Sequence, residues 1–192
     1  MKLLSGLFLL LCLTAAADPA ADPRLLLLGD VAPAGDAAAT QKELLAATAS
    51  SETRVRLQAW TALRQLGVQP EAEEAWGVRG VAVETDAGMV AVYEDGRLQW
   101  LDKDGKPGAL DSQSREMARL AKSMLAAAET AMKSTRPMPH ADASPLGKER
   151  VRLTVLTYAG FYVLDVHAPS LAEDHPAASP LAAARELLAL LE

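Results

Sequence analysis

Cysteine is almost absent from this chain of 192 residues, in which Cys12 is the only one. Cys12 lies in the apolar start of the sequence, a segment that we predict to be removed. The predicted mature chain therefore offers no thiol nucleophile and no thiolate metal site, and it has no disulfide to stabilise it. Such a protein depends on its hydrophobic core for stability.

Aromatic residues and an excess of basic residues are also lacking. Aromatics make up 4% of the chain, which is too few for a carbohydrate-stacking platform, and we assign Trp60, Trp76 and Trp100 to the core or to an interface. Lys and Arg total 19 against 25 Asp and Glu, a formal net charge of −6. This balance argues against a nucleic-acid partner, and no basic amphipathic face points to a membrane surface.

Catalytic sequence motifs are missing as well. The chain contains no nucleophile elbow, no zinc-protease motif, no phosphate-binding loop and no dinucleotide-binding glycine motif. It also contains no Ile and no Asn, and it is rich in Ala, Leu, Gly and Arg, a bias typical of a GC-rich bacterial genome. Composition therefore predicts a bacterial protein without a recognisable reaction, and we predict no cofactor.

The first seventeen residues, MKLLSGLFLLLCLTAAA, predict the compartment. One basic residue, an apolar run and Ala15 and Ala17 in an A-x-A arrangement are typical of a secretory signal peptide, and the run is too short to span a membrane. Cleavage after Ala17 leaves Asp18 at the N-terminus of a periplasmic or secreted protein. A lipoprotein anchored through Cys12 is the alternative, but Leu11 is not the small residue that such a signal needs before its cysteine.

Residues 18–74 divide into an arm and a helical segment. Proline and glycine interrupt residues 18–36, which predicts a loosely ordered arm whose Leu25–Leu28 patch must dock or serve as a contact. Residues 37–74 predict a helical segment packed on the main domain. Its first helix is Ala-rich with Asp36 as its cap, and its second begins at Ser51 and ends at Gly67. The acidic residues Glu71, Glu73 and Glu74 indicate a solvated linker.

Residues 75–192 predict an α+β domain. Alternating apolar residues from Gly80 to Gly105 predict three short strands, of which the middle one, around Val90–Val92, is apolar on both faces. A long amphipathic helix follows over about 112–133, then a second hairpin that turns at Ala159 and Gly160, then a helix that starts with Ser179 and Pro180. This order predicts one antiparallel sheet of about five strands, three and then two, with helices packed against it.

Four segments together resemble a family of uncharacterised bacterial proteins: AWGVRGVAVETDAG, VAVYEDGRLQWLDKDGK, VRLTVLTYAGFYV and HPAASPLAAARELLALL. They share a G-V-x-V-E strand, two Gly-containing hairpins and a closing helix, over about Arg54 to Glu192. The resemblance implies no activity and no catalytic residue. The order of strands and helices also resembles profilin-like or roadblock-like domains, which implies a dimerising interaction platform.

The stretch WLDKDGKPGALD raises the question of a calcium loop. Asp102, Asp104 and Asp111 fall at the third, fifth and twelfth positions of an EF-hand loop when Gly105 is placed at the sixth. Trp100 then occupies the first position without an oxygen ligand, and Pro107 occupies the eighth. We interpret the stretch as a turn after a strand, with Asp111 or Ser112 capping the following helix, and we predict no metal site there.

The histidines supply the remaining candidate site. Asp165 and His167 are two residues apart on a strand and face the same side, and His175 follows in the next loop. Together they could form a two-His, one-carboxylate metal site or an acid–base pair. The alternative is that Asp165 and His167 lie on a solvated strand end, while His175 stabilises the loop that enters the last helix.

Three functions follow from these observations. The first is an exported, non-catalytic module that binds another protein or itself, because catalytic motifs are absent, the N-terminal arm is apolar and a small sheet has open edges. The second is a small metal-dependent or acid–base hydrolase that uses Asp165, His167 and His175. The third is a small-ligand sensor with a pocket under the long helix.

Overall fold

A computed structural model describes residues 22–30, 37–108, 114–135, 137–142 and 144–191. The predicted signal peptide, Cys12 and the candidate caps Asp36, Asp111 and Ser112 lie outside these ranges. The helices are α1 (Pro23–Leu28), α2 (Ala37–Ala47), α3 (Thr53–Gln65), α4 (Ala72–Ala75), α5 (Arg115–Met132) and α6 (Ala178–Leu191), with a short 3-10 turn at Ala168–Ser170. The strands are β1 (Gly80–Thr85), β2 (Gly88–Tyr93), β3 (Leu98–Asp102), β4 (Pro137–Met138), β5 (Arg150–Thr157) and β6 (Gly160–His167). Within the described residues, none of the helices has the length and apolar character needed to cross a membrane.

The strands form one antiparallel sheet in the order β3-β2-β1-β5-β6-β4, which confirms the predicted α+β fold class. The predicted groups of three and two strands join because β1 pairs with β5. The sixth strand, β4, adds only the pairs Pro137–Tyr162 and Met138–Phe161 at the edge beside β6. A strand of two residues that begins with proline has no alternating pattern, so sequence gives no signal for it.

One face of the sheet packs against α5 and α6. Val81, Val83, Val90 and Val92 point to this side and are fully buried. They meet a stripe on α5 whose members recur at spacings of three and four, namely Met117, Leu120, Ala121, Met124, Ala128 and Ala131. The long amphipathic helix therefore fills this face with side chains and holds the main hydrophobic core.

The opposite face packs against α1 and α3. Ala82, Ala91 and Tyr93 point to this side, where they meet Leu28 and Leu57. Every residue of β2 is buried, as predicted for a strand that is covered on both faces. Helix α2 packs against α3 through a smaller apolar cluster, which contains no strand residue.

The prediction of a loosely ordered arm is wrong for residues 22–30, which contain helix α1. Asp22 caps α1 by accepting the Arg24 N–H at 2.9 Å, and Gly29 ends the helix in the left-handed conformation at φ 75°. Leu27 and Leu28 are buried in the core of the second face. Burial of these two leucines holds a helix that is too short to be stable alone. The Leu25–Leu28 patch therefore docks on its own domain.

Helix starts were predicted less accurately than helix bodies. Helix α3 begins at Thr53, whose N–H donates to Asp95 Oδ2 at 2.7 Å, so a carboxylate from the β2–β3 turn takes the role predicted for Ser51. Helix α5 begins after Ser114, whose hydroxyl accepts the Met117 N–H at 3.1 Å. Helix α6 begins at Ala178, one residue before the predicted cap Ser179. Residues 72–75 of the predicted acidic linker form α4.

Candidate functional site

The loop that contains Asp102 and Asp104 is a turn, as interpreted from the sequence. Asp102 Oδ1 accepts hydrogen bonds from the Asp104 N–H at 2.8 Å and the Lys106 N–H at 2.9 Å. Gly105 has φ 77°, a left-handed conformation that glycine adopts without strain. The Asp102 carboxylate is thus engaged with the backbone of its own turn, and Asp111 lies outside the described residues.

Asp165 binds two arginines and neither of the histidines with which it was grouped. Arg150 Nε donates to Asp165 Oδ1, and Arg152 Nη2 lies 3.3 Å from Asp165 Oδ2. Arg152 comes from the neighbouring strand, where it is the register partner of Asp165. Both oxygens of this carboxylate are engaged by guanidinium groups, so Asp165 has a structural partner and is not turned toward either histidine.

His167 contacts Glu149 and Ser170, two residues that the sequence analysis did not consider. His167 Nδ1 lies 3.1 Å from Ser170 Oγ, and His167 Nε2 lies 3.5 Å from Glu149 Oε2. These are the residue types of a nucleophilic triad, but Ser170 Oγ donates its proton to the His167 carbonyl at 3.2 Å. All three residues are exposed, so the arrangement closes the 3-10 turn without the water-excluded setting that such catalysis needs.

His175 has a structural role at the start of α6. Its Nδ1 accepts the Ala177 N–H at 3.1 Å, and its carbonyl accepts the Ala178 N–H at 2.9 Å. The interpretation that His175 stabilises the loop entering the last helix is confirmed. Among the described residues no group of three His, Cys, Asp or Glu side chains is placed to hold a metal ion. Asp165, His167 and His175 therefore do not converge into the proposed ligand set.

A different part of the surface brings arginines, carboxylates and aromatic side chains together around a cavity. Its cavity of about 250 Å³ is bounded by side chains from α3, from α4 and from the connections between other elements. Trp76, which is 50% exposed, follows α4 directly, close to the lining residue Glu74. The cavity is lined by Thr48, Arg56, Trp60, Glu74, Arg79, Glu94 and Tyr158. We call these residues, together with Trp76 two positions after Glu74 in the chain, the Trp76 surface.

Two arginines share one carboxylate on the Trp76 surface. Arg56 Nη2 donates to Glu94 Oε1, and Arg79 Nη1 donates to Glu94 Oε2 at 2.8 Å. Arg56 Nε also donates to the Tyr158 hydroxyl at 2.6 Å. Burial alone would lower the pKa of Arg56, but the hydrogen bonds to Tyr158 and Glu94 outweigh it and raise that pKa. Arg56 therefore stays cationic.

Aromatic rings form the wall of this cavity. The Arg79 guanidinium carbon lies 4.6 Å from the centroid of the Tyr158 ring, a cation–π geometry. The Trp60 ring lies 6.0 Å from Tyr158, centroid to centroid. The Ala159 N–H donates to the Ala75 carbonyl at 2.9 Å, which ties the β5–β6 turn to α4. The backbone that leads into Trp76 is therefore fixed at Ala75 by the turn and at Glu74, whose carbonyl accepts from Arg79 Nη2 at 3.2 Å.

A second polar cluster lies under the 137–149 connection. Arg152 is only 3% exposed and is surrounded by carboxylates of Glu84, Asp142 and Asp165. The side-chain and backbone hydrogen bonds from Ser144 lower the pKa of Asp142, and Arg152 contributes in the same direction. Arg24 also reaches Glu84, at 3.1 Å, and its hydrogen bond to Asp22 lowers the pKa of that carboxyl. The cluster fastens α1 and the connection to the sheet.

The chain is therefore a six-stranded α+β domain with helices on both faces of the sheet. Its surface carries a cavity lined by arginines and aromatic side chains. No protein-family model, curated protein or solved structure matches the chain. The resemblance to uncharacterised bacterial proteins and to profilin-like or roadblock-like domains stays a prediction.

Proposed function

We propose that this chain is an exported, non-catalytic module that binds another protein through the Trp76 surface. The observation that carries the proposal is the half-exposed Trp76, which lies two positions after Glu74 in the chain, while Glu74 lines a cavity together with Arg56, Arg79 and Tyr158. Trp, Tyr and Arg are the residues that most often dominate the binding energy of protein interfaces. A partner that covers Trp76 would gain free energy by removing its apolar ring from water.

The two features that first suggested binding contribute less. The leucines of α1 are buried, so the N-terminal patch is not a free contact. The part of β6 that the two-residue edge strand β4 leaves unpaired is blunted, because the Val163, Asp165 and His167 carbonyls accept hydrogen bonds from Thr135, Arg150 and Ser170 side chains. At the other edge, the Gly108 N–H donates to the Trp100 carbonyl at 3.1 Å. The proposal therefore rests on the Trp76 surface.

The proposal is tested by site-specific photo-crosslinking of the exported protein in its own bacterium. A photoreactive residue at position 76 is expected to crosslink one defined protein, and the same residue at position 190 is expected to crosslink none. Leu190 is the matched control because it is 49% exposed on another part of the molecule. A crosslinked second copy of this chain would identify the interaction as self-association.

Affinity for the purified partner then gives the decisive measurement. Trp76→Ala is expected to weaken binding by at least about tenfold, the effect of truncating one interface hot spot. Leu190→Ala is expected to leave the affinity unchanged. Equal affinities for the wild type and Trp76→Ala would disprove binding through this surface.

A small-ligand sensor is the second candidate, supported by a cavity of about 500 Å³. The cavity lies beside α1 on the face away from α5, not under the long helix as predicted. Its walls combine the apolar side chains Met89 and Leu101 with charged Arg24 and Glu84. Mixed apolar and polar linings of this size are typical of small-molecule sites.

A further inference from the structure

Arg79 has hydrogen-bond donors to spare, and its guanidinium is held in a fixed orientation. Nη1 donates to Glu94 Oε2 at 2.8 Å, Nη2 donates to the Glu74 carbonyl at 3.2 Å, and the group stacks on Tyr158. A guanidinium has five N–H groups. Within the described chain, Arg79 Nε is buried without an acceptor, and each terminal nitrogen keeps one N–H that no described residue accepts.

Arg56, by contrast, is almost saturated. It donates to the Ser50 carbonyl, to Thr53 Oγ1 and to the Tyr158 hydroxyl, as well as to Glu94. The spare donor capacity of the Trp76 surface therefore belongs to Arg79. Arg79 is 23% exposed, so solvent or a ligand reaches its outer edge.

The charges around the cavity select the kind of acceptor. Arg56 and Arg79 are balanced by Glu74 and Glu94, so the four charged groups of the lining have no formal net charge. A doubly charged phosphate would meet two carboxylates there. A carboxylate carries one charge, and its two oxygens match the planar fork of a guanidinium.

We infer that the partner presents a carboxylate to the two terminal nitrogens of Arg79 and places an adjacent apolar side chain on Trp76. This inference rests on the proposed function and specifies the partner segment as acidic and apolar. The carboxylate comes either from an Asp or Glu side chain or from a chain terminus. The exposed Glu74 lines the same cavity, so its carboxylate repels an incoming carboxylate.

Three short peptides test the inference against the isotope-labelled mature protein by NMR. Acetyl-Leu-Glu-Leu-amide supplies a side-chain carboxylate, acetyl-Leu-Leu supplies a terminal carboxylate, and acetyl-Leu-Gln-Leu-amide is the neutral control. We expect one or both carboxylate peptides to shift the Arg79 Nε–H and the Trp76 indole resonances. Their affinity is expected to exceed that of the neutral peptide by about tenfold, as for a charge-assisted bidentate pair.

Matched variants distinguish recognition by the planar guanidinium of Arg79 from attraction by its positive charge alone. Arg79→Lys is expected to abolish the preference for carboxylate peptides, while Arg119→Lys, on the exposed face of α5, is expected to keep it. Glu74→Gln removes the repulsion from this carboxylate and is expected to strengthen carboxylate binding severalfold, which provides a test if Arg79→Lys is unstable.

Two results overturn the inference. The first is equal affinity for the Glu and Gln peptides, and the second is the absence of a saturable shift with any of the three peptides. Equal binding at Trp76 would leave the proposed protein-binding function in place without a carboxylate. The Trp76→Ala measurement with the natural partner decides that function separately.

Discussion

At the scale of single residues, Arg152 is the side chain whose removal should cost most. It is 3% exposed and contacts carboxylates of Glu84, Asp142 and Asp165 at 3.3 to 3.4 Å. Arg152→Ala leaves these carboxylates without their shared cation. We expect the free energy of unfolding in urea to fall by about 3–5 kcal/mol, as when one partner of a buried ion pair is removed.

The matched control for Arg152 is Arg119, whose ion pair with Glu116 is exposed to solvent. Arg119→Ala is expected to leave the urea midpoint unchanged, because solvent screens such pairs. If both variants unfolded at the wild-type midpoint, the Arg152 cluster would be without energetic importance and the 137–149 connection would be held by other contacts.

Single residues also show why the sequence alone did not predict which side chains come together in a site. The histidines were visible as candidates because their types and spacing suggest chemistry, but no periodicity states which side chains converge. Arg56 meets Tyr158 across 102 positions of sequence, and Arg79 meets Glu94 across 15. The first contact depends on the placement of α3, and the second depends on the register of β1 with β2. Only the exposed Trp76 could have been singled out, as one of three tryptophans assigned to the core or an interface.

At the scale of elements, the spacing of apolar residues along the sequence correctly predicted the buried faces of the longer helices and strands. The buried stripe of α5 and the doubly covered β2 follow from the periodicities of a helix and a strand. Strand β4 and helix α1 were missed for a different reason. Each is too short to carry a period, and each forms only because the rest of the domain supplies its partner.

Helix α1 provides a prediction about docking at this scale. The Tyr93 hydroxyl donates to the Leu27 carbonyl at 2.7 Å, and burial raises the pKa of Tyr93, so this hydroxyl remains a donor at all moderate pH values. Tyr93→Phe removes the bond and leaves a buried carbonyl without its partner. We expect a loss of about 1 kcal/mol in unfolding free energy.

Hydrogen exchange locates the effect of Tyr93→Phe. The amides of Leu25 and Asp30 are bonded within α1 and its cap, and they are expected to exchange about fivefold faster, the equivalent of that free energy. Amides at the centre of the sheet, such as those of Val83 and Val155, are expected to follow global unfolding only. Unchanged exchange at Leu25 and Asp30 would show that the leucines alone hold α1.

At the scale of the whole molecule, helices pack on both faces of the sheet, and several edge carbonyls accept hydrogen bonds within the domain. The apolar face of α5 is filled by the sheet, and α1 and α3 pack on the other face. What the fold leaves for a partner is therefore a surface patch and not a sheet face. This organisation favours a compact recognition site such as the Trp76 surface over the addition of a strand.

Export is the last prediction at the scale of the whole molecule, and it has a direct test. We expect the chain expressed in its own bacterium to appear in the periplasmic fraction or the medium with Asp18 as its first residue, because Ala15 and Ala17 suit signal cleavage. Replacing Ala17 with Leu should block cleavage, because a bulky residue disrupts the A-x-A site. Cys12→Ser is the control: it should leave cleavage after Ala17 unchanged, whereas processing as a lipoprotein requires the cysteine. An uncleaved chain in the cytosol, or a lipid on Cys12, would contradict the prediction, since either result means that the segment before Asp18 acts as something other than a cleaved secretory signal.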